Sequence, residues 1–435
     1  EKEAQTLCND LSCMGLRAYV YPVRDFNFLD FQSRSHEYEH ARLKVLLKLI
    51  NHECDVAIAC VDAAAQLTVP RNVLEQSVIE FEEGRELSLE KATKALTLLG
   101  YERFDAVEGS GQFSLRGGIL DFFMPDSDYP VRCEFWGDEI TDLSYFDIET
   151  QRRFKKADKI TLSPSTEIVI EDRAALADKI EHKAKLLRSK NSAKAKEKLF
   201  SEAELIRSGA MIANADKFIN QIYDKPESLF DYLDRNTLVF ASEFTAIQER
   251  GKSMDFISNE TLMQGFEDGT LCRGFDRFAL TFNECTEFLQ SHGTIVLENF
   301  VHGSMPLKLS EIISFSTKQL SAWGGSYKQL KEDVDGLFTP ESKGVIFAGT
   351  ERAAKNLCDT FNADGINAVY SEGADKISKG ELLVMQGALS AGFEYPSQKF
   401  FAITYSQVSY RPEKSKKKKK KTGQEIYSLS EDRKS

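Results

Sequence analysis

The chain has 435 residues, 42 % of them hydrophobic and 29 % charged, with a net charge of −12. That length allows three or four domains, each with its own core. No apolar run reaches the roughly 18 residues of a membrane span, no signal-peptide pattern opens the chain, and the acidity argues against the bulk of it clamping nucleic acid, which needs clustered positive charge. None of the eight cysteines (Cys8, Cys13, Cys54, Cys60, Cys133, Cys272, Cys285, Cys358) forms a C-x-x-C pair or a zinc spacing. Several stand in apolar segments, where cysteine behaves as a small hydrophobe. The expectation is a reduced, cytoplasmic protein without a membrane segment.

The chain opens at Glu1 in what reads as mid-helix, EKEAQTLCNDL, and an N-terminal truncation is expected. Arg17 to Tyr21 reads as a short strand, followed by an aromatic-rich loop. A helix then starts from a Ser33 or Ser35 cap. Leu43, Leu46, Leu47 and Ile50 fall on one face of it. Asp55 to Val61 reads as a buried strand. A helix from Ser88 to a stop at Gly100 places Leu89, Ala92, Leu96 and Leu99 on one face. Ala174 to Ser208 reads as helical and highly charged. Leu238–Ala241 and Thr294–Glu298 read as short strands. From Gly344 the pattern is strand, helix (Ala354, Leu357, Cys358 and Phe361 on one face), then strands at 366–370, 381–385 and 399–404. Alternating strands and helices imply a mainly parallel sheet. The fold class is α/β and multidomain, and no internal repeat is present.

The most informative stretch is Gln112 to Trp136, QFSLRGGILDFFMPDSDYPVRCEFW. Val131, Cys133 and Phe135 alternate with Arg132, Glu134 and Trp136, the period of a strand with one buried face. A second strand follows the Gly137-Asp138 turn as a hairpin. An outward Trp beside a carboxylate, four residues from an Arg, suits a protein-binding anchor, because Trp and Arg are enriched at interface hot spots. An ordinary solvated sheet face with an incidental Trp is the plainer alternative.

Chemistry is mostly absent. No G-x-x-x-x-G-K-[ST] phosphate cradle occurs. Gly109, Gly111, Gly117 and Gly118 cluster without a following Lys-Ser or Lys-Thr, and read as tight turns in a sheet. There is no G-x-S-x-G elbow. His36 to His40, HEYEH, satisfies the zincin pattern in form but lacks a third ligand, so no metal is expected. Lys414 and Lys416, Lys417, Lys418, Lys419, Lys420 and Lys421 form a basic run lacking apolar periodicity. It reads as a self-repelling linker or, alternatively, a transient DNA contact.

The strings RGGILDFF, PVRCEFWGDEI and SYFDIETQR resemble the UvrA-contacting domain shared by UvrB and the bacterial transcription-repair coupling factors, the Mfd family. SRSHEYEHARLKVLLKL is similar to the first domain of that family. The chain lacks the long tyrosine-rich hairpin of UvrB at this point, which favours the coupling factors over a UvrB damage-verification fragment. GTERAAKNLCDTFNADGINAVY and VMQGALSAGFEYP resemble second-lobe helicase segments that have lost their chemistry.

The resemblance implies a UvrB-like, degenerate helicase-type first domain in two parts, 1–78 and 164–311. A small α/β UvrA-interaction domain, 79–163, is inserted between them. A third α/β domain at 312–408 and a basic linker at 409–435 follow. It implies that Arg116 and Arg132 pair with acidic groups of UvrA, with Glu134 and Trp136 at the contact, and that this surface is masked in the resting full-length protein. It further implies a monomer that meets RNA polymerase and DNA through domains beyond this chain, where ATP and magnesium would also bind. No cofactor or catalytic residue is expected in this chain. A stand-alone enzyme, a metallopeptidase through HEYEH or a small-molecule α/β enzyme, is the reading from another class.

Overall fold

A computed structural model describes residues 2–24, 36–77, 79–188, 192–209, 215–300, 305–320, 327–373 and 377–405. The lysine run at 414–421, like Ser33 and Ser35, lies outside the described residues. The chain divides into two compact units, residues 1–12 with 16–313 and residues 13–15 with 314–435. No described helix is long and apolar enough to cross a membrane.

The first unit opens with α1 (Lys2–Cys13), β1 (Ala18–Tyr21), α2 (Glu37–Ile50) and β2 (Val56–Ala59). β1 and β2 pair in parallel. The expected buried strand at 55–61 is shorter than its apolar run and only half-buried, since Val61 already starts the next helix, α3 (Val61–Ala65). Helix α2 buries Leu43, Leu46 and Leu47 as its spacing predicts. Its described start is Glu37, with His36 at the cap position making no side-chain cap bond.

After α4 (Arg71–Gln76) comes β3 (Ile79–Glu82), then α5 (Leu89–Leu98). Ser88 caps α5 as expected, its side chain accepting from the Lys91 N–H. Gly100 ends it at φ +88°, a left-handed conformation that glycine adopts without strain. There follow β4 (Glu102–Arg103), β5 (Gln112–Arg116), β6 (Ile119–Phe122), β7 (Val131–Trp136), β8 (Glu139–Phe146), β9 (Arg153–Lys156) and β10 (Lys159–Leu162). Strands β4 to β9 form one six-stranded sheet in sequence order, antiparallel except for β4–β5. β10 returns to pair antiparallel with β3. Phe113, Leu120, Phe122, Val131, Cys133 and Leu143 pack one sheet face against Leu96 and Leu99, forming the core of the inserted module.

The chain then continues as α6 (Arg173–Leu186), α7 (Ser192–Arg207), α8 (Ile219–Ile222), β11 (Val239–Ser242), α9 (Phe244–Asp268), α10 (Phe282–His292) and β12 (Thr294–Leu297). The single helix expected at 174–208 is two, because Leu187 turns to an extended conformation at the end of α6. The pair packs Leu176, Ile180, Leu199 and Ile206 together. β11 and β12 pair in parallel, and one face of this pair leaves Phe240, Ile295 and Leu297 exposed.

One buried cluster ties the inserted module back to the first part. Arg42 of α2 and Glu167, 125 residues apart, are both fully buried, with Arg42 Nε donating to Glu167 Oε1 at 2.7 Å. Glu167 also accepts from the Thr68 hydroxyl at 2.7 Å and faces Arg24 at 3.4 Å. The Arg42 guanidinium lies 4.2 Å from the centre of the Tyr21 ring. Glu39, one turn earlier on α2, accepts from the Glu167 N–H and the Thr166 hydroxyl. Burial alone would raise the Glu39 pKa, but His36, Arg24 and the Glu167 N–H outweigh it and bring it to about 2.

The second unit is a six-stranded sheet of order β13 (Lys318–Leu320), β17 (Gly392–Tyr395), β18 (Phe400–Thr404), β14 (Lys343–Phe347), β16 (Glu381–Met385) and β15 (Ala368–Tyr370). Its helices are α11 (Tyr327–Leu337) and α12 (Glu351–Ala363). Four strands, β18, β14, β16 and β15, are parallel, and β17 and β13 add an antiparallel edge. Helix α12 buries Ala354, Leu357, Cys358 and Phe361, as the spacing predicts.

Removing one partner of a buried ion pair strands the other. Arg42→Ala is therefore expected to cost about 3–5 kcal/mol of first-unit stability, read as a lowered urea midpoint. Because the Glu39 pKa is lowered in the fold, its contribution is complete above the unfolded value near 4.5 and is lost as pH falls toward about 2. Urea midpoints at pH 6, 4 and 3 should fall more steeply for the wild type than for Glu39→Gln.

Candidate protein-docking face

The face of the β4–β9 sheet opposite the core carries the residues singled out in the sequence. Antiparallel pairing puts Ser114, Asp121, Arg132 and Ser144 in one cross-strand row. Arg116, Ile119, Glu134 and Asp142 form the next row. In β7 the burial alternates as expected, with Val131, Cys133 and Phe135 buried and Trp136 fully outward. Trp136 is 83 % exposed, at the tip of a hairpin whose turn needs Gly137 at φ +65°. A register shift between Glu134 and Phe135 marks a bulge just before it. Bulges re-aim side chains at sheet rims.

Turn geometry places Arg116 as well. It precedes the Gly117-Gly118 turn, where Gly117 has φ +62° and a Cβ on Gly118 would stand 2.8 Å from the Phe135 carbonyl oxygen. The Phe135 N–H donates to the Gly118 carbonyl at 2.8 Å. Only glycine fits so close to the neighbouring strand.

The two arginines are not equivalent. Arg132 has a side chain only 13 % exposed. Its Nε and Nη2 donate to the two oxygens of Asp121 at 2.7 and 2.8 Å, a bidentate pair. Its Nη2 and Nη1 also donate to the side-chain and backbone oxygens of Gln151. Its plane lies 4.4 Å from the Phe146 ring centre. Asp121 hydrogen-bonding chiefly holds the Arg132 pKa above its already high value. Arg116 instead gives one N–H, from Nη2, to Asp121 Oδ2 at 2.8 Å, and its side chain is 51 % exposed. Arg132 is thus a half-buried strut and Arg116 the presented cation. Glu134 is engaged by Arg153, which also reaches Asp142 at 2.9 Å.

Asp121, Gln151 and Arg153 were not singled out in the sequence. Asp121 had a signal, a lone acid within the apolar strand Ile119–Phe122. Gln151 and Arg153 had none, because they lie beyond a turn whose reach back to β7 only the fold supplies. The His36 Nδ1 faces Glu39 at 2.9 Å, and burial chiefly lowers the His40 pKa. Among the described residues no three His, Cys, Asp or Glu side chains stand as a metal site.

Residues 79–168 match the family model of the UvrB interaction domain, so the chain carries that module. Over nearly its whole length the chain is similar to transcription-repair-coupling factors, specifically to their N-terminal, UvrB-like part. The Bacillus subtilis (strain 168) factor is 27 % identical over 432 residues, covering 96 % of this chain and 36 % of that protein. That of Staphylococcus epidermidis (strain ATCC 35984) is 25 % identical over 424 residues, and that of Staphylococcus haemolyticus (strain JCSC1435) 24 % over 419; each match covers 93 % of this chain and 35 % of the relative. The chain therefore spans about a third of the length of these relatives.

Asp121 neutralises two guanidiniums from a buried position. Asp121→Ala should lower the stability of the inserted module by about 2–3 kcal/mol, discounted because Arg116 is half exposed. The expected readout is a lower melting temperature than Arg116→Ala produces.

Proposed function

We propose that this chain is the recruitment portion of a transcription-repair coupling factor, and that it docks UvrA on the outer face of its inserted sheet to begin nucleotide excision repair. The observation that carries this is the presented Trp136 on the same sheet face as the half-exposed Arg116, within the UvrB interaction domain. A large exposed indole and a cation presented on one face are residue types enriched at interface hot spots. Glu134 and Arg132 belong to the same face, Glu134 in its ion pair with Arg153 and Arg132 supporting from beneath. The full-length protein would displace stalled RNA polymerase with an ATP-driven DNA translocase. Neither that motor nor its ATP and magnesium site is assigned to any residue here. A UvrB damage-verification fragment, the alternative in the sequence, gains nothing from the three relatives named above, each a coupling factor.

Calorimetric titration of the chain with UvrA tests the proposal. Saturable binding is expected, with Trp136→Ala weakening it by about 30-fold, the scale of a 2 kcal/mol hot spot. Arg116→Glu should weaken it at least as much and reduce the salt dependence of what remains. A folded chain that shows no heat of binding to UvrA would remove the recruitment role.

A further inference from the structure

The docking face contains one residue in a conformation its side chain does not favour. Gln151, in the turn between β8 and β9, has φ +59°. Non-glycine residues rarely adopt this left-handed region, and they persist there where surrounding contacts over-determine them. Here the contacts are explicit. The Gln151 N–H donates to the Asp147 carbonyl at 2.8 Å, and its Nε2 donates to the Ile148 carbonyl at 2.9 Å. Asp147 in turn accepts from the Thr150 N–H and hydroxyl, both at 2.8 Å, which closes the turn. The result is that both oxygens of Gln151 point at one guanidinium. Arg132 Nη1 donates to its carbonyl at 3.1 Å and Arg132 Nη2 to its Oε1 at 3.0 Å.

Counting donors shows what this does. A guanidinium has five N–H groups. Arg132 directs four hydrogen bonds inward, two to Asp121 and two to Gln151. A single N–H, on Nη1, is left for anything outside the module. Arg116 directs one N–H inward and is half exposed. Both arginines share Asp121 Oδ2, so the position of Asp121 sets the position of Arg116, and Arg132 sets the position of Asp121.

We infer that Gln151 is a positioning residue of the docking face: acting through Arg132 and Asp121, it fixes the guanidinium of Arg116 where it meets an acidic side chain of the partner. The inference rests on the docking reading above and deepens it. The partner's carboxylate sits over Arg116, while Arg132 serves from beneath as a support. A carboxylate matched to a pre-set guanidinium binds without first immobilising a free arginine, and that saved ordering cost appears as affinity.

The test is UvrA affinity of full-chain variants, with melting temperature measured alongside. Gln151→Gly accepts the left-handed backbone, removes the side chain with its bonds to Arg132 and Ile148, and leaves the backbone carbonyl that accepts from Arg132 Nη1. It is expected to weaken UvrA binding about three- to tenfold, the scale of one ordinary hydrogen bond, because the loss reaches UvrA only through Arg132 and Asp121, with the melting temperature held. Gln151→Glu keeps the acceptor toward Arg132 but loses the Nε2 donor to the Ile148 carbonyl, and should bind more tightly than Gln151→Gly but more weakly than wild type. In an Arg132→Ala background Gln151→Gly should cause no further loss, because Gln151 acts only through Arg132. Losses that multiply in the double variant would show Gln151 touching UvrA itself and overturn the positioning role. So would Gln151→Gly binding at wild-type strength while Arg116→Glu and Trp136→Ala still weaken capture as expected above. If those two variants leave binding intact, it is the docking reading beneath that fails.

Discussion

The fully buried pair of Arg42 and Glu167 is the contact on which the first unit depends. An insertion of about ninety residues leaves and re-enters a domain at two points, and unless one is fixed the inserted module swings on its connections. Glu167 stands at the return crossing. It is held by Arg42, Thr68 and Arg24, while Glu39 secures the backbone N–H of the same residue. Taking both charges out of water carries a heavy desolvation cost, offset only by complete hydrogen bonding. A hydrophobic plug could match that stability but not its direction. The charged cluster sets the angle at which the inserted sheet leaves the first domain.

The sheet uses its two faces for separate tasks. One is an ordinary core of Phe113, Leu120, Phe122, Val131 and Cys133 against α5. The other is polar, yet most of its charge is spoken for, by Asp121 for two arginines and by Arg153 for Glu134. Among the groups such a face presents are an indole at a hairpin tip and a half-exposed guanidinium. Charges already satisfied inside the module add little to binding but hold the few presented groups in register.

Much of this was legible in the sequence, for identifiable reasons. The alternation in β7 was readable because Val131, Cys133 and Phe135 on one side are apolar while Arg132 and Glu134 on the other are charged. The caps at Ser88 and Gly100 were readable because their effects are local. The parallel strands of the second unit followed from apolar runs separated by one amphipathic helix. What failed was tertiary. The run at 55–61 reads as a long buried strand, yet Val61 turns into α3. The helical stretch at 174–208 concealed its break at Leu187. Within the site, alternation could say that Arg132 points away from the core, but not that it points into Asp121. The difference between a strut and a contact is a matter of cross-strand register and of a turn twenty residues away.

The parallel pair β11–β12 carries a consequence for handling the protein. Parallel strands are ordinarily sheathed on both sides, and among the described residues Phe240, Ile295 and Leu297 line an uncovered apolar strip on a two-stranded sheet. Strips of that kind adhere to one another, and to hydrophobic dyes, in proportion to concentration and salting-out strength. Solutions of this chain will therefore be best behaved when dilute and in weakly structuring buffers. Charge placed at Phe240 would be the economical route to a specimen that stays dispersed.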